Sequence, residues 1–293
     1  MITMKQKKLG YSNNKTIKRQ KFNPWRIGLY FILLLVSVIT LYPFLWMLAA
    51  SFMPLAEIVR GGMSLIRPGM SLDNYRFIFG SATQFPRWFM NSLIVATIGT
   101  TVNVILNTMA GYSLSRLEYP GRQTVYYALL ALIMIPSQVL LVPNVILISR
   151  LGLMDTYAAL IVPAMVNIGF IFLMRQFFVN FPSECEEAAY IDGLGRITCF
   201  FRMVMPLART AIATQAILVF MGFWNEFTRP MLYLRSMDLF TLPLGLQQFQ
   251  SRDAGQMWNQ IMAAAAVTVI PILILYLLFN KYFMRGIRTD GEK

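Results

Sequence analysis

A polar stretch between two apolar segments, residues 183–207, carries the side chains best suited to contact another protein. Ser183 followed three residues later by Glu186 has the form of a capping box at the start of a helix. Glu187, Ala188 and Ala189 then give one helical turn with an acidic flank and two small residues, which a partner can approach closely. The pattern predicts a docking helix, and an interfacial hairpin without a partner is the simpler alternative.

The same stretch contains its own stop signals. Asp192 and Gly193 predict the end of the first helix, because glycine readily adopts the left-handed conformation found there. A second amphipathic turn, residues 196–204, is expected to stop at Pro206, which also suits the first turn of the next helix. We therefore expect two short helices in a polar insert that occupies residues 179–208.

A second group of polar and kinking residues lies inside the apolar segments. Such residues are tolerated in a membrane where neighbouring helices or a water-filled cavity satisfy them. Hydrogen bonding between helices is the simpler reading for any single asparagine, whereas clustering in several segments favours a polar pathway. The residues concerned are Asn91, Asn103, Asn107, Pro136, Gln138, Pro143, Asn144, Pro163, Asn167, Pro206 and Pro271, and the pathway candidates are Asn144, Asn167, Trp224, Asn225 and Glu226.

Glu226 is the one acidic residue among these pathway candidates, and it lies at the end of an apolar segment. A charge in or near the membrane usually faces a cavity or a partner. Arg229 lies one helical turn away, so an ion pair between the two is the favoured reading, and a role in a solute route or gate is the alternative. Trp224 has the flat ring that stacks on solutes, but aromatic residues at helical spacing more often pack between helices.

Several chemistries are excluded by what the chain lacks. It contains no histidine and two cysteines, Cys185 and Cys199, so a transition-metal site has almost no ligands. No Gly-rich phosphate loop followed by Lys and Ser or Thr occurs, and therefore the chain is not itself an ATPase. We predict no catalytic residue, no metal and no cofactor in this chain.

The composition requires a membrane to position these residues. Hydrophobic residues make up 57% of the chain and charged residues 13%, whereas soluble domains carry about 25% charged residues. A spanning helix needs about 20 apolar residues, and the fifth of the charge-free stretches reaches that length only by continuing through Glu226. We predict an all-α membrane protein with six spans near 27–51, 89–114, 125–148, 157–178, 209–233 and 259–282.

The distribution of the net charge of +13 predicts the orientation. If both termini are cytoplasmic, 18 of the 26 basic residues fall on the inner side, as is typical of polytopic proteins. Residues 1–26 are then a basic tail that contacts lipid headgroups, residues 284–293 a short inner tail, and residues 234–258 an outer loop. This asymmetry argues against nucleic-acid binding, and the long first apolar stretch argues against a cleaved signal peptide.

The polar insert also resembles a known signature. Glu187-Ala188-Ala189, Asp192-Gly193 and Met203-x-Met205-Pro206 look like the EAA signature of ABC-importer permeases, with Met in place of the usual Ile and Leu. Over residues 27–287 the chain is further similar to the smaller permease of maltose-type carbohydrate importers. The segments that carry this similarity are 223–227, 242–246, 258–264 and 282–286.

This resemblance implies a type I importer (MetI-like) permease fold in a bacterial cytoplasmic membrane. The insert is then a coupling helix that docks on a separate ATP-binding-cassette subunit, which binds ATP and Mg²⁺. Glu186, Glu187, Ala188, Ala189, Asp192, Gly193 and Pro206 are the implied coupling residues. The implied partners are a second, related permease, two such ATPase subunits, an extracytoplasmic solute-binding protein and a carbohydrate, most simply an oligosaccharide.

Alternatives remain open from the residues alone. A permease of the same class for an acidic sugar or a non-sugar solute is compatible with the arginines of the outer segments. A membrane-embedded transferase would need acidic or histidine clusters that the sequence lacks. A carrier working alone would be supported by inverted repeats and mid-span charges, and neither is evident.

Overall fold

The computed structural model describes residues 24–62, 64–81, 83–182, 184–250 and 257–289, and all regular structure in these ranges is helical. The described residues up to Leu45 form one unit, and the described residues from Trp46 onward form a second. The helices are α1 (Pro24–Ala50), α2 (Leu55–Val59), α3 (Asp73–Phe79), α4 (Phe85–Arg116), α5 (Arg122–Ile133), α6 (Ser137–Arg150), α7 (Tyr157–Ala164), α8 (Ile168–Val179), α9 (Glu184–Ile191), α10 (Arg196–Leu207), α11 (Arg209–Trp224), α12 (Thr228–Tyr233), α13 (Leu242–Leu246) and α14 (Trp258–Thr289).

Three of these helices are long and apolar enough to cross a membrane without interruption. They are α1, α4 and α14. Three further candidates are helix pairs bent at a short break, α5 with α6, α7 with α8, and α10 with α11. Counting each pair as one span gives six candidates, the number predicted, although the third pair begins within the predicted insert at Arg196. The basic tail predicted over residues 1–26 lies almost wholly outside the described residues, whereas the backbone of the predicted inner tail continues α14 as far as Thr289.

The third predicted span was wrong as a single helix. Its two halves, α5 and α6, meet at 91°. Pro136 lies at the break with extended backbone angles, φ −59° and ψ 130°. A proline removes a helical hydrogen bond and clashes with the preceding turn, and it also disfavours helical geometry at the residue before it. The bend therefore follows from Pro136, which the length-based prediction passed over.

The fifth predicted span, residues 209–233, was also wrong in its extent. α11 has 16 residues and ends at Trp224, so it is only about 24 Å long at 1.5 Å per residue. Pro230 prevents a continuous helix, because its ring would clash with the carbonyl of Glu226 four residues earlier. α12 starts afresh at Thr228 beyond the break.

α4 is the central helix of the second unit and packs closely against two neighbours. A Cβ atom on Gly99 would lie 2.5 Å from the ring of Phe223 in α11. A Cβ on Gly111 would lie 2.7 Å from the Cβ of Met174 and 2.9 Å from the backbone nitrogen of Arg175, both in α8. Only glycine allows approaches this close, and these two positions therefore fix how α8 and α11 lie on α4.

Buried asparagines of α4 satisfy the backbone where other segments lose their regular bonds. The Nδ2 of Asn103 donates to the carbonyl of Ala164 (2.8 Å), and that of Asn107 donates to the carbonyl of Met165 (3.1 Å). Asn91 donates to the carbonyls of Asp238 and Phe240 at 2.8 and 2.9 Å. Hydrogen bonding between segments, the simpler reading of these three asparagines, is confirmed.

Candidate functional site

A polar cavity of about 380 Å³ opens on the second unit. Its lining combines amide, hydroxyl and charged groups with a few apolar side chains, which is the composition expected of a site that orients a polar solute. The lining residues are Ser137, Gln138, Leu141, Asn144, Pro163, Ala164, Val166, Asn167, Glu226, Thr228, Arg229 and Tyr233.

Interrupted helices supply this lining. Ser137 and Gln138 follow the 91° bend between α5 and α6, and residues 163–167 lie at the end of α7 and in the 43° break before α8. Glu226 lies in the gap between α11 and α12. Irregular backbone is tolerated at membrane depth where it borders a cavity or is buried in protein. The breaks therefore bring polar groups from three distant segments to one place.

Glu226 and Arg229 form the ion pair that their spacing predicted. The guanidinium donates to Oε2 of Glu226 from Nε at 2.9 Å and from Nη2 at 2.7 Å. The other carboxylate oxygen accepts from the backbone amides of Thr228 and Arg229, at 3.0 and 3.2 Å. One carboxylate thus caps the start of α12 and neutralises the arginine of the cavity wall.

Asn144 and Asn167 both line the cavity, and their role in a solute pathway stays a prediction. Asn167 also caps α8, because its Oδ1 accepts from the amides of Gly169 (2.9 Å) and Phe170 (3.3 Å). Its own amide donates to Oδ1 of Asn107 at 2.9 Å. The position of Asn167 is therefore fixed by the backbone and by α4.

Trp224 and Asn225 do not line the cavity, and a pathway role for Asn225, which is exposed elsewhere, stays a prediction. Trp224 is fully buried, stacks on Phe220 and donates from Nε1 to the carbonyl of Thr268 at 3.2 Å. Asn225 bonds back to the carbonyl of Met221 at 3.0 Å. The helix ends between Trp224 and Glu226, so neighbouring residues face different surroundings.

The polar insert folds as two short helices, α9 and α10, joined by a glycine turn. Gly193 has φ +80°, and the amide of Leu194 donates to the carbonyl of Ala189 at 3.0 Å. This is a Schellman-type end to α9, and it confirms the predicted stop at Asp192 and Gly193. Asp192 and Gly193 are exposed at the tip of the insert.

Adjacent glutamates of α9 point in different directions. Glu187 is exposed, whereas Glu186 is buried, and its Oε1 accepts from Nε of Arg116 at 3.0 Å. Ala189 is 2% exposed and packs within the molecule, so its prediction as part of an open docking surface was wrong. The side chain of Ala188 and the proposed cap Ser183 lie outside the described residues.

α10 ends at Leu207, one residue beyond the stop predicted at Pro206. The helix widens to a π-helical stretch at Phe200–Val204 and continues to Leu207. A wider turn relieves the clash between the proline ring and the preceding carbonyls. The chain then turns by 81° at Ala208, before α11.

Sequence reasoning missed several residues of both regions. Arg116 was counted only as an orientation charge, and its pairing with Glu186 joins positions 70 residues apart. Ser137, Thr228 and Tyr233 of the cavity were not singled out. Pro136 and Pro230 were the available signals, since each interrupts a helix beside these residues. In the described ranges no group of three or more Asp, Glu or Cys residues is arranged to hold a metal ion.

Fold and site together define a membrane permease subunit, with spans interrupted around a polar cavity. Residues 109–289 match the family described as "Binding-protein-dependent transport system inner membrane component". The chain belongs to this family of ABC-transporter permeases and is a multi-pass protein of the bacterial inner membrane. Its class is a pore subunit, which is not itself an enzyme.

Two curated relatives align over nearly their whole length. The arabinooligosaccharides transport permease AraQ of Bacillus subtilis is 32% identical over 93% of this chain and 98% of its own. The sn-glycerol-3-phosphate transport permease UgpE of Pectobacterium atrosepticum is 32% identical over 89% and 95%. A crystal structure of a bacterial ABC transporter that imports the acidic polysaccharide alginate superposes with a TM-score of 0.80, over 89% of this chain and 96% of that one, at 22% identity. This likeness confirms the predicted all-helical importer fold.

Proposed function

We propose that this chain forms half of the translocation pore of an ATP-driven importer for a carbohydrate. The polar cavity carries this proposal, because three interrupted segments place amide and hydroxyl groups around a space of about 380 Å³. Amides and hydroxyls match the alternating donors and acceptors of a sugar. The transport of arabinooligosaccharides by a relative supports the same substrate class.

A neutral oligosaccharide fits the charge of the cavity best. Arg229 is the one cation among the lining residues described, and Glu226 holds it at two nitrogens. The pair leaves the wall without net charge, so an anion gains little from it. An acidic or phosphorylated solute is the second candidate, because the relative UgpE serves sn-glycerol-3-phosphate transport and a modest movement of Glu226 would release the arginine.

The polar insert is proposed to couple the pore to a separate ATPase. Glu187 and the tip at Asp192–Gly193 are exposed and acidic, as is suitable for contact with a basic groove. Glu186, Ala189 and Pro206 then support the docking helix from behind instead of touching the partner. ATP and Mg²⁺ bind in the ATPase subunits, and no cofactor is expected in this chain.

The proposed assembly contains four kinds of protein. Two permeases surround the pathway, and the resemblance to one particular half favours a related but different second permease. Two ATPase subunits lie in the cytoplasm with both termini of this chain. A binding protein delivers the solute to the 234–258 loop, and lipids surround the spans.

Copurification and reconstitution test this function. The chain is tagged, purified from its native host with its neighbours, and placed in liposomes with candidate binding proteins. We expect two ATPase subunits and a second permease to copurify, and neutral oligosaccharides such as arabinotriose or maltotriose to stimulate ATP hydrolysis. Trigalacturonate and sn-glycerol-3-phosphate are the acidic solutes tested in parallel. Stimulation by these alone supports the second candidate, and an active chain without any ATPase refutes both.

A further inference from the structure

An ion pair joins the polar insert to the last residue of α4. Nε of Arg116 lies 3.0 Å from Oε1 of Glu186, and the two side chains are 15% and 10% exposed. The contact connects residues 70 positions apart. Removing one partner from a buried pair leaves an uncompensated charge, which destabilises a protein far more than loss of a surface pair. The pair therefore fixes α9 against α4 more firmly than a surface contact would.

Apolar contacts reinforce the pair. Ala189 and Leu194 of the insert pack in one cluster with Tyr112 of α4 and with Met174 and Phe178 of α8. The rings of Tyr112 and Phe178 meet edge to face, with centroids 5.5 Å apart. Gly111 brings the backbones of α4 and α8 together next to this cluster. The insert is thus bound to α4 by a charged pair and by close apolar packing, both on the buried face of α9.

The opposite end of α4 holds a segment of the 234–258 loop in a similar way. Trp88 donates from Nε1 to the carbonyl of Met237 at 3.0 Å. Asn91 binds the carbonyls of Asp238 and Phe240, and Oγ of Ser92 accepts from the amide of Leu242 at 2.7 Å. α4 has 32 residues without a break, so Trp88 and Ser92 lie about 36–42 Å along the helix from Arg116 at 1.5 Å per residue.

We propose that α9, α4 and the 237–242 segment move as one rigid body, and that Arg116 and Glu186 are the positioning pair that transmits displacement from α9 into α4. The direction of that displacement rests on the proposed function, with an ATPase pulling on the insert. The neighbouring bent pairs contain the breaks, and α4 is uninterrupted. Motion at the insert therefore reaches the 237–242 segment through α4 without passing through a hinge.

Spin-label distances test the rigid body directly. Cysteines replace Ile191, which is 86% exposed at the end of α9, and Met237, which is 45% exposed in the 237–242 segment, in a chain whose two native cysteines are substituted. We expect the same mean distance between the labels in the assembled importer without nucleotide and with ATP and vanadate. A change of more than about one helical turn, 5.4 Å, would overturn the proposal.

Variants of the pair test its role as the link. Arg116→Ala and Glu186→Gln are each expected to broaden the label distance distribution and to lower the stimulation of ATP hydrolysis by the loaded binding protein about tenfold. The reversed variant, Arg116→Glu with Glu186→Arg, is expected to recover most of that loss, because a cycle isolates the pairwise interaction. Arg76→Ala removes an exposed pair with Asp73 in α3 and is the matched control.

The outcomes distinguish a failure of the positioning role of Arg116 and Glu186 from a failure of the proposed transport function. If no ATPase copurifies, the proposed function fails, while the label distribution of the isolated chain still reports whether Arg116→Ala frees the insert. If the importer assembles and both single variants behave like Arg76→Ala, the positioning role is refuted. A reversed variant no better than the single variants refutes it as well, since a pairwise link must respond to restored charge complementarity.

Discussion

The polar insert and the polar cavity both expose acidic side chains, yet they are built in opposite ways. The insert is one contiguous stretch in which adjacent residues have different tasks, with Glu187 outside and Glu186 inside against Arg116. The cavity draws on three separate segments, and its acidic residue, Glu226, is occupied by Arg229 and by two backbone amides. A docking surface needs a free charge for a partner, whereas a cavity that passes a neutral solute needs its charges paired.

The largest expected effect is the loss of ATPase binding when Glu187 of the polar insert is changed. Glu187→Arg reverses an exposed charge at the proposed ATPase contact, and central interface residues are worth about 2 kcal/mol or more, or roughly thirtyfold in binding. We expect ATPase subunits to copurify poorly and uptake to fall accordingly. Glu184→Arg, the same change at another exposed position of the helix, is the control. Equal effects of the two variants would contradict a specific role for Glu187.

Breaking the Glu226–Arg229 pair tests the cavity. Glu226→Gln retains the acceptor that caps α12 and removes the charge that neutralises Arg229. A charge-assisted hydrogen bond contributes about 1.5–3 kcal/mol, so the uptake of acidic relative to neutral oligosaccharides should rise about tenfold. The measurement is competitive uptake into liposomes. Adding Arg229→Gln to Glu226→Gln should restore the original preference. If neither variant changes the preference, the pair has no role in solute selection.

Gly193 sharpens the comparison because it concerns shape and not charge. At φ +80° a valine would cost about 1–2 kcal/mol in left-handed strain, and the tip of the insert should shift. We expect Gly193→Val to raise the number of ATP molecules hydrolysed per solute taken up. Gly193→Asn tolerates this conformation better and should remain close to the original ratio. If Gly193→Val changed the solute preference and left that ratio unchanged, the turn would act on solute selection and not on coupling, contrary to this prediction.

A smaller effect is expected at Asn167. Asn167→Ala removes the cap of α8, which is worth about 1 kcal/mol, and also one polar group of the cavity wall. The assembled permease should melt earlier, and the KM for uptake should rise. Asn167→Asp retains an acceptor for the amides of Gly169 and Phe170 and should melt close to the original protein. Identical melting of the alanine variant would show that the cap contributes nothing.

The smallest effect concerns the support behind Tyr233 of the cavity wall. Hydrogen bonds from the Ser236 hydroxyl and from the backbone amides of Ser236 and Arg235 lower the pKa of Asp155, whose own amide donates to the carbonyl of Tyr233 at 2.8 Å. Because folding lowers this pKa, the ionised side chain stabilises the fold at pH values above the ordinary pKa of aspartate. This stabilisation is lost as the pH falls through the lowered pKa. The melting temperature of Asp155→Asn should therefore be lower at neutral pH, and the difference should vanish in strong acid. A difference that is independent of pH would contradict this account.

Much of the architecture could be predicted from the sequence, because apolar length is a local property. Six charge-free stretches led to six spans, and the motif Glu187-Ala188-Ala189 with Gly193 located the insert. The extents of the third and fifth spans failed at Pro136 and Pro230, whose effect on the backbone outweighs hydropathy. Within the cavity, Asn144, Asn167 and Glu226 were found by their cost in a membrane. Trp224 packs between helices, the commoner of its two readings, and only the point where the helix stops decides which way such a residue faces.

The sequence by itself determined the membrane class, the family signature and the ion pair between Glu226 and Arg229, since each depends on residues close together in the chain. Only the tertiary structure decided which polar residues share a wall, that Ala189 faces inward, and that Glu186 meets Arg116 across 70 positions. Contacts between distant segments depend on how helices bend and pack. Here the bends at Pro136 and before Pro230, with the close approaches at Gly99 and Gly111, set those contacts.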